Sequence, residues 1–117
     1  MLCVMAPNLL RFVGIMGEEV VYAPASLGQT TRAFFRRQAL EALTVLEASG
    51  EPGPLVIDLS AARIVDSAGL GALVVIQRRA AEVGRSVHLR RASEELRFLL
   101  VMTRLEDRFI VEGPRQS

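Results

Sequence analysis

The sequence predicts an α/β fold: a mixed, mainly parallel β-sheet with helices packed largely on one side, in the order β-β-α-β-α-β-α-β. Three observations predict it. The run LVID at 55–58 is apolar without alternation until Asp58, which suits a strand buried on both faces in the middle of a parallel sheet. In the second half of the chain, segments of helical spacing alternate with short apolar runs, which argues for right-handed parallel crossovers. The two short apolar runs before Pro24 can pair as a hairpin, and this makes the sheet mixed.

The elements follow in order. Leu9 to Val13 reads as a first strand and Gly14 to Gly17 as a turn. Val20, Val21 and Tyr22 make a second strand, which Pro24 ends. Thr30 or Thr31 caps a helix running to about Ala48. Its apolar residues Phe35, Ala39, Ala42, Leu43 and Leu46 recur at helical spacing, and Arg32, Arg36, Arg37, Glu41 and Glu47 supply polar surface. SGEPGP at 49–54 is a loop. After the 55–58 strand, a second helix runs from about Ser67 to Val83 and stops at Gly84. Leu70, Leu73, Val74 and Ala81 are expected to face the sheet, and Gln77, Arg78 and Glu82 to face water. Val87 to Leu89 is the next strand. Ser93 starts a third helix through about Thr103, with Glu94 and Glu95 in the turn where the macrodipole favours anions. Leu96, Leu99 and Leu100 are its expected buried stripe, and Phe109 to Val111 is the last strand. Residues 1–8 and 113–117 are expected to be loose termini of a single domain spanning 1–117.

Composition removes several classes of function. Half of the 117 residues are apolar, enough for a real core at this length. A net charge of +1 gives no global pull toward nucleic acid or anionic membranes. All 14 basic residues are arginines, which fits the codon bias of a GC-rich bacterial genome. Cys3 is alone, so there is no disulfide framework or thiolate cluster, and a reducing compartment, the cytoplasm, is expected. The first ten residues are apolar, but no basic residue precedes them and no small-residue cleavage site follows, so secretion is not expected. No run of about twenty apolar residues is present to span a membrane.

The chemistry concentrates in IVDSAGLGAL, Ile64 to Leu73. A strand ends in Asp58, a short loop follows, and Ser67 stands where a helix begins, a good N-cap position. Gly69 and Gly71 fall in the first turns of that helix, where each glycine costs about 1 kcal/mol relative to alanine. Either another backbone must approach there, or the helix packs tightly on its own sheet. Ser67 has two readings as well. It is a plain capping serine, or it is a phosphoacceptor whose phosphate would meet the positive end of the helix dipole. A phosphate would add about −1.5 to −2 charge to a surface that a partner could otherwise cover.

The ordered combination is more specific than the hexapeptide DSAGLG. LVIDLSAARIVDSAGLGALVVIQRRAAEVGRSVHL, followed by RASEELRFLLVMTRLEDRFIV, resembles the STAS domain of anti-sigma factor antagonists. The likeness is strong over about Leu55 to Val111 and loose before that. It implies a protein-binding switch rather than an enzyme. Family members capture an anti-sigma factor that is also an ATP-dependent serine kinase, are released when that kinase phosphorylates them, and are reset by a phosphatase. On this sequence the implied phosphoacceptor is Ser67, with Asp66, Gly69, Leu70 and Gly71 around it. The implied partner surface also includes Ser26 and Gly28 in the 24–29 loop. Two departures stand out. Gly28 occupies the position where the family often has Asp, and Arg104 precedes Leu105 where Gly is usual. STAS domains also serve as non-switching subunits of lipid-transport ATPases, as stressosome scaffolds and as cytoplasmic parts of anion transporters.

Other candidates are weaker. Asp58 is expected to organise the loop after its strand. An acid/base pair with Asp66 is conceivable, but no Ser-His-Asp or Cys-His set accompanies it. His88 lies between Val87 and Leu89 and reads as structural, without the Cys or second His of a metal site. The arginine pairs 36–37, 78–79 and 90–91 lie among acidic residues with no aromatics interleaved, so they read as solvated faces. A nucleotide-binding enzyme would need a Gly-Lys-Ser/Thr loop, and the chain contains no lysine. No cofactor is expected.

Overall fold

A computed structural model describes residues 19–112 together with the short strands at 2–3 and 11–13. Eight strands and three helices are found among these residues: β1 Leu2–Cys3, β2 Arg11–Val13, β3 Glu19–Tyr22, β4 Ser26–Leu27, α1 Arg32–Ser49, β5 Leu55–Asp58, β6 Ile64–Val65, α2 Ser67–Glu82, β7 Val87–Arg90, α3 Glu94–Met102 and β8 Ile110–Glu112. Six strands form the main sheet in the order β1-β2-β3-β5-β7-β8. The first two joints are antiparallel and the remaining three parallel, so the sheet is mixed and mainly parallel as the pattern predicts. The expected first strand is observed only at 11–13, and the expected 14–17 turn lies outside the described residues. Within the stretch expected to be a loose N-terminus, Leu2 and Cys3 pair with Val13 and Phe12.

Register explains which side carries the helices. Val21, Ile57 and Leu89 are aligned across β3, β5 and β7, and Leu55 is aligned with Val87. These five residues share one buried cluster with Phe35, Ala39, Ala42 and Leu43 of α1, Leu70, Leu73, Ile76 and Ala80 of α2, and Leu96 and Leu100 of α3. All three helices therefore cover the same face. Strand β5, between β3 and β7, is buried at every position, and the helices cover its Leu55 and Ile57. The opposite face carries Tyr22, Asp58, His88, Arg90, Ile110 and Glu112. There Glu112 is bonded to His88 at 2.6 Å and to Arg90 at 3.0 Å.

The helix ends show local chemistry. Helix α3 is capped by Ser93, whose Oγ accepts from the Leu96 amide at 3.1 Å. Helix α2 ends in a left-handed turn at Gly84 (φ 75°), where the Arg85 amide reaches back to the Ala80 carbonyl. The same motif closes α3, with the Leu105 amide on the Leu100 carbonyl, but here Arg104 takes the left-handed position (φ 61°). An L-residue in that conformation costs about 1 kcal/mol, so the fold tolerates arginine where glycine would be easier.

The expected face of α2 needs correction. Ala81 is exposed and Val74 only half-buried, whereas Ile76 and Ala80 are buried. The stripe is centred on Gly69, Leu73, Ile76 and Ala80, roughly one residue position round the helix from the expected one. Gly69 lies on this stripe, and its missing side chain lets the helix abut the Leu27 carbonyl.

Candidate functional site

Two short strands build the site. β4 and β6 pair in parallel away from the main sheet, Ser26 beside Ile64 and Leu27 beside Val65. The Ala25 carbonyl accepts from the Arg63 amide at 2.9 Å, and the Leu27 carbonyl accepts from the Asp66 amide at 3.2 Å. This pairing holds the 24–29 loop against the start of α2. Two-residue strands carry no periodicity, so sequence patterning missed them; the β-branched pair Ile64-Val65 was the only local signal. Thr31 secures the loop from the other end. Its hydroxyl donates to the Ser26 carbonyl at 2.7 Å and accepts from the Gly28 amide at 3.0 Å. Thr31 precedes α1, but its side chain braces the loop and does not cap the helix.

The expected N-cap is corrected by one residue. Asp66 is extended (φ −92°, ψ −174°), and its Oδ1 accepts from the Gly69 amide at 3.0 Å. Carboxylate and hydroxyl compete for the same first-turn amides, and Asp66 has the capping backbone geometry. Ser67 is then the first helical residue. It is exposed, and its hydroxyl has no hydrogen-bond partner among the described residues.

The two glycines of α2 have different roles. A Cβ on Gly69 would collide with the backbone carbonyl of Leu27, its carbon only 2.7 Å away, so Gly69 is buried by close packing. The expectation that position 69 is open to a partner is therefore corrected: a side chain there strikes the protein's own β4. Leu70 is likewise buried in the core. Gly71 is exposed, and a Cβ there meets nothing within 4 Å. Position 28, where the family often has Asp, is tightly packed here. A Cβ on Gly28 would run into the Asp66 carboxylate, with Cγ 2.8 Å away. The space that a side chain at 28 would need is occupied by the capping carboxylate.

All seven residues expected to form the surface (Ser26, Gly28, Asp66, Ser67, Gly69, Leu70 and Gly71) meet at this one end. Ser26, Asp66, Ser67 and Gly71 present it to solvent, and Gly28, Gly69 and Leu70 form its frame. Ile64, not singled out from sequence, stands beside them with 62% of its surface exposed. Exposed Arg63 precedes it, and exposed Arg32 opens α1 just beyond the loop. Asp58 lies beneath, 4% exposed, and accepts from the Ser60 amide at 2.9 Å, which shapes the turn after β5. His88 is not part of this site; it belongs to the Glu112 cluster on the opposite face. Among the described residues no cluster of His, Cys, Asp and Glu could hold a metal ion, and no helix is long and apolar enough to cross a membrane.

A mainly parallel sheet covered by helices on one face, with a serine exposed at the start of the second helix, defines a small α/β module of the STAS type. A family model described as Mlab, STAS domain matches residues 25–112, and the chain belongs to the STAS domain family. Among solved structures, it is similar to that of TM1081, a candidate anti-sigma factor antagonist of Thermotoga maritima. The TM-score is 0.74 at 16% identity, covering 89% of this chain and 85% of that one. The NMR structure of TM1081 gives a TM-score of 0.71 at 16% identity, over 88% of this chain and 78% of that one. The murine anion transporter Slc26a9 is similar over 75% of this chain but only 14% of its own length, with a TM-score of 0.63 and 23% identity. No curated protein sequence matches the chain.

Proposed function

We propose that this protein is an anti-sigma factor antagonist, a cytoplasmic protein-binding switch that captures an anti-sigma serine kinase and is released by phosphorylation of Ser67. One observation carries the reading: Ser67 stands exposed at the first position of α2 while Asp66 does the capping, which leaves the hydroxyl free to react. The partner kinase would supply ATP and the base; Ser67 Oγ takes the γ-phosphoryl group, its proton goes to that base, and ADP leaves. The helix dipole favours the added charge, so the domain keeps its shape in both states. The partner, by contrast, would have to bury about −1.5 to −2 charge beside the Asp66 carboxylate, and this drives release. Ser26, Ser67, Gly71 and Ile64 form the contact surface in this reading, with a phosphatase resetting the cycle. With the cognate kinase and ATP, intact-mass measurement should show one added phosphate on the wild type and none on Ser67→Ala. Uptake undiminished by that change would remove Ser67 from the mechanism.

The family model's description as Mlab, STAS domain favours a second reading, a non-switching subunit of a lipid-transport ATPase or other assembly. On that reading the same surface binds its partner permanently. Capture would then survive ATP, and no phosphate would be added.

A further inference from the structure

Ile64 is the large apolar side chain that the site turns outward. Its neighbour in β6, Val65, packs against the core, so strand alternation points Ile64 away from it, 62% exposed. The position is rigid. Ile64 is paired with Ser26 across β4 and β6, and its amide donates to the Ala25 carbonyl at 3.3 Å. A β-branched side chain has little χ1 freedom, so it loses little on burial in a partner. Phe34, in the first turn of α1, is exposed as well, but its ring already carries the Arg37 guanidinium, 5.6 Å from the ring centre. Charge divides this end of the molecule into two sides. Helix α1 begins beyond the carboxyl end of β3, α2 beyond that of β5 and α3 beyond that of β7. On the β3 side, exposed Arg32 opens α1 and exposed Arg63 lies against Ala25. Neither arginine side chain has an ion-pair or hydrogen-bond partner among the described residues. Exposed Arg36 is one turn further along α1, and the first carboxylate of that helix, Glu41, is more than two turns beyond Arg32. The 24–29 loop carries no charged residue. On the β7 side stand exposed Glu94 and Glu95, at the start of α3, and Arg91, whose guanidinium lies 3.9 Å from the Asp58 carboxylate. Asp66 lies between the two sides, on the Gly69 amide.

We propose that Ile64 is the anchor by which the partner kinase holds this surface, in an apolar pocket flanked by carboxylates on the side that covers Arg32 and Arg63. This rests on the reading above, in which a protein docks at the start of α2. Guanidinium groups without partners of their own, beside an apolar anchor, are complementary to carboxylates, which they can hold in bidentate bonds. The two kinds of residue have different tasks. A desolvated anchor sets how long the complex lasts, and charges at the rim set how fast it forms. Phosphate on Ser67 would bring negative charge toward the same carboxylates, so the polarity that speeds capture also drives release.

Binding rates to the purified cognate kinase, measured with ADP so that no phosphate is transferred, test both tasks. Ile64→Ala should keep the wild-type circular dichroism and melting temperature, since the side chain is exposed, yet bind about thirtyfold more weakly through faster dissociation. Ile64→Val should fall between the two. The double variant Arg32→Ala with Arg63→Ala should associate about tenfold more slowly at low salt and nearly as fast as the wild type at high salt, with dissociation little changed. Intact mass of the wild type after incubation with the kinase and ATP reports the switch separately. A wild type that is phosphorylated, with Ile64→Ala captured as tightly, overturns the anchor and leaves the switch standing. A wild type captured through Ile64 but never phosphorylated supports the anchor and removes the switch. Association of the double variant that is as fast as the wild type at low salt, or faster, overturns the acidic pocket. No capture of the wild type at all overturns both readings.

Discussion

At residue 28 a missing side chain makes room for a cap. The Asp66 carboxylate fills the space over Gly28 and holds the Gly69 amide, so the loop glycine and the helix cap are one unit. Gly28→Ala should push the carboxylate off that amide and cost about 1 kcal/mol, the usual worth of an N-cap. Asp66→Ala should cost about the same, and the double variant little more than either alone. Urea melts of the four proteins give the coupling; full additivity would separate the two residues. Gly71 is the opposite case, a helical glycine with open space around it. Gly71→Ala should raise stability by about 1 kcal/mol from helix propensity. The new methyl leans toward the helix start and over Ser67, four residues back. The same variant should therefore take up phosphate more slowly or bind its partner more weakly. A variant both more stable and fully active would show that the glycine keeps nothing clear.

At the scale of elements, β8 is the strand whose attachment depends on charge. Burial alone would push the Glu112 carboxyl up, but the bonds from His88 and Arg90 outweigh it and hold the pKa below the ordinary 4.5. A lowered folded pKa means that this contribution to stability is complete above the unfolded value and is lost as pH falls through the folded one. Glu112→Gln should therefore be less stable than the wild type at neutral pH, and the gap should close as pH falls from about 5 toward 3. Urea unfolding of both proteins across that range measures it, and a gap constant with pH would remove Glu112 from the pH dependence. The small β4–β6 pair has a different task. It contributes little area, yet it sets where the loop meets α2, because Leu27 carbonyl both receives the Asp66 amide and abuts Gly69.

Across the whole molecule, the two ends of the sheet have separate duties. The site lies beyond the carboxyl end of β5. At the amino end, Arg85 ties the loop after α1 to the loop after α2. Its guanidinium donates to the carbonyls of Gly53 at 2.6 Å, Glu51 at 2.9 Å and Leu46 at 3.3 Å, and pairs with Glu47. Arg85→Ala should cost about 2 kcal/mol, since several carbonyls lose a charged donor at once. Phosphate uptake at Ser67 should be unchanged at temperatures where the variant is folded. A thermal melt and a phosphorylation time course check both halves. Slower uptake by a folded variant would show that the two ends are coupled.

The sequence by itself determined the order of the three helices and the longer strands around them, the buried middle strand and the place of Ser67 at a helix start, but not the short strands β1, β4 and β6. These rest on short-range signals: LVID without alternation, Ser93 with its glutamates, Gly84 after the second helix. It left open whether the paired glycines serve packing or approach, and it assigned the cap to the wrong neighbour. Only the tertiary structure decided that Gly69 packs while Gly71 stays open, because the difference is a single carbonyl from Leu27, forty-odd residues away in the chain. The cap went to Asp66 for the same reason: β6 pairs with β4 and leaves Asp66 extended over Gly28. Periodicity reports which residues share a face. It does not report what the face touches, and at this site the contacts come from segments far apart in sequence.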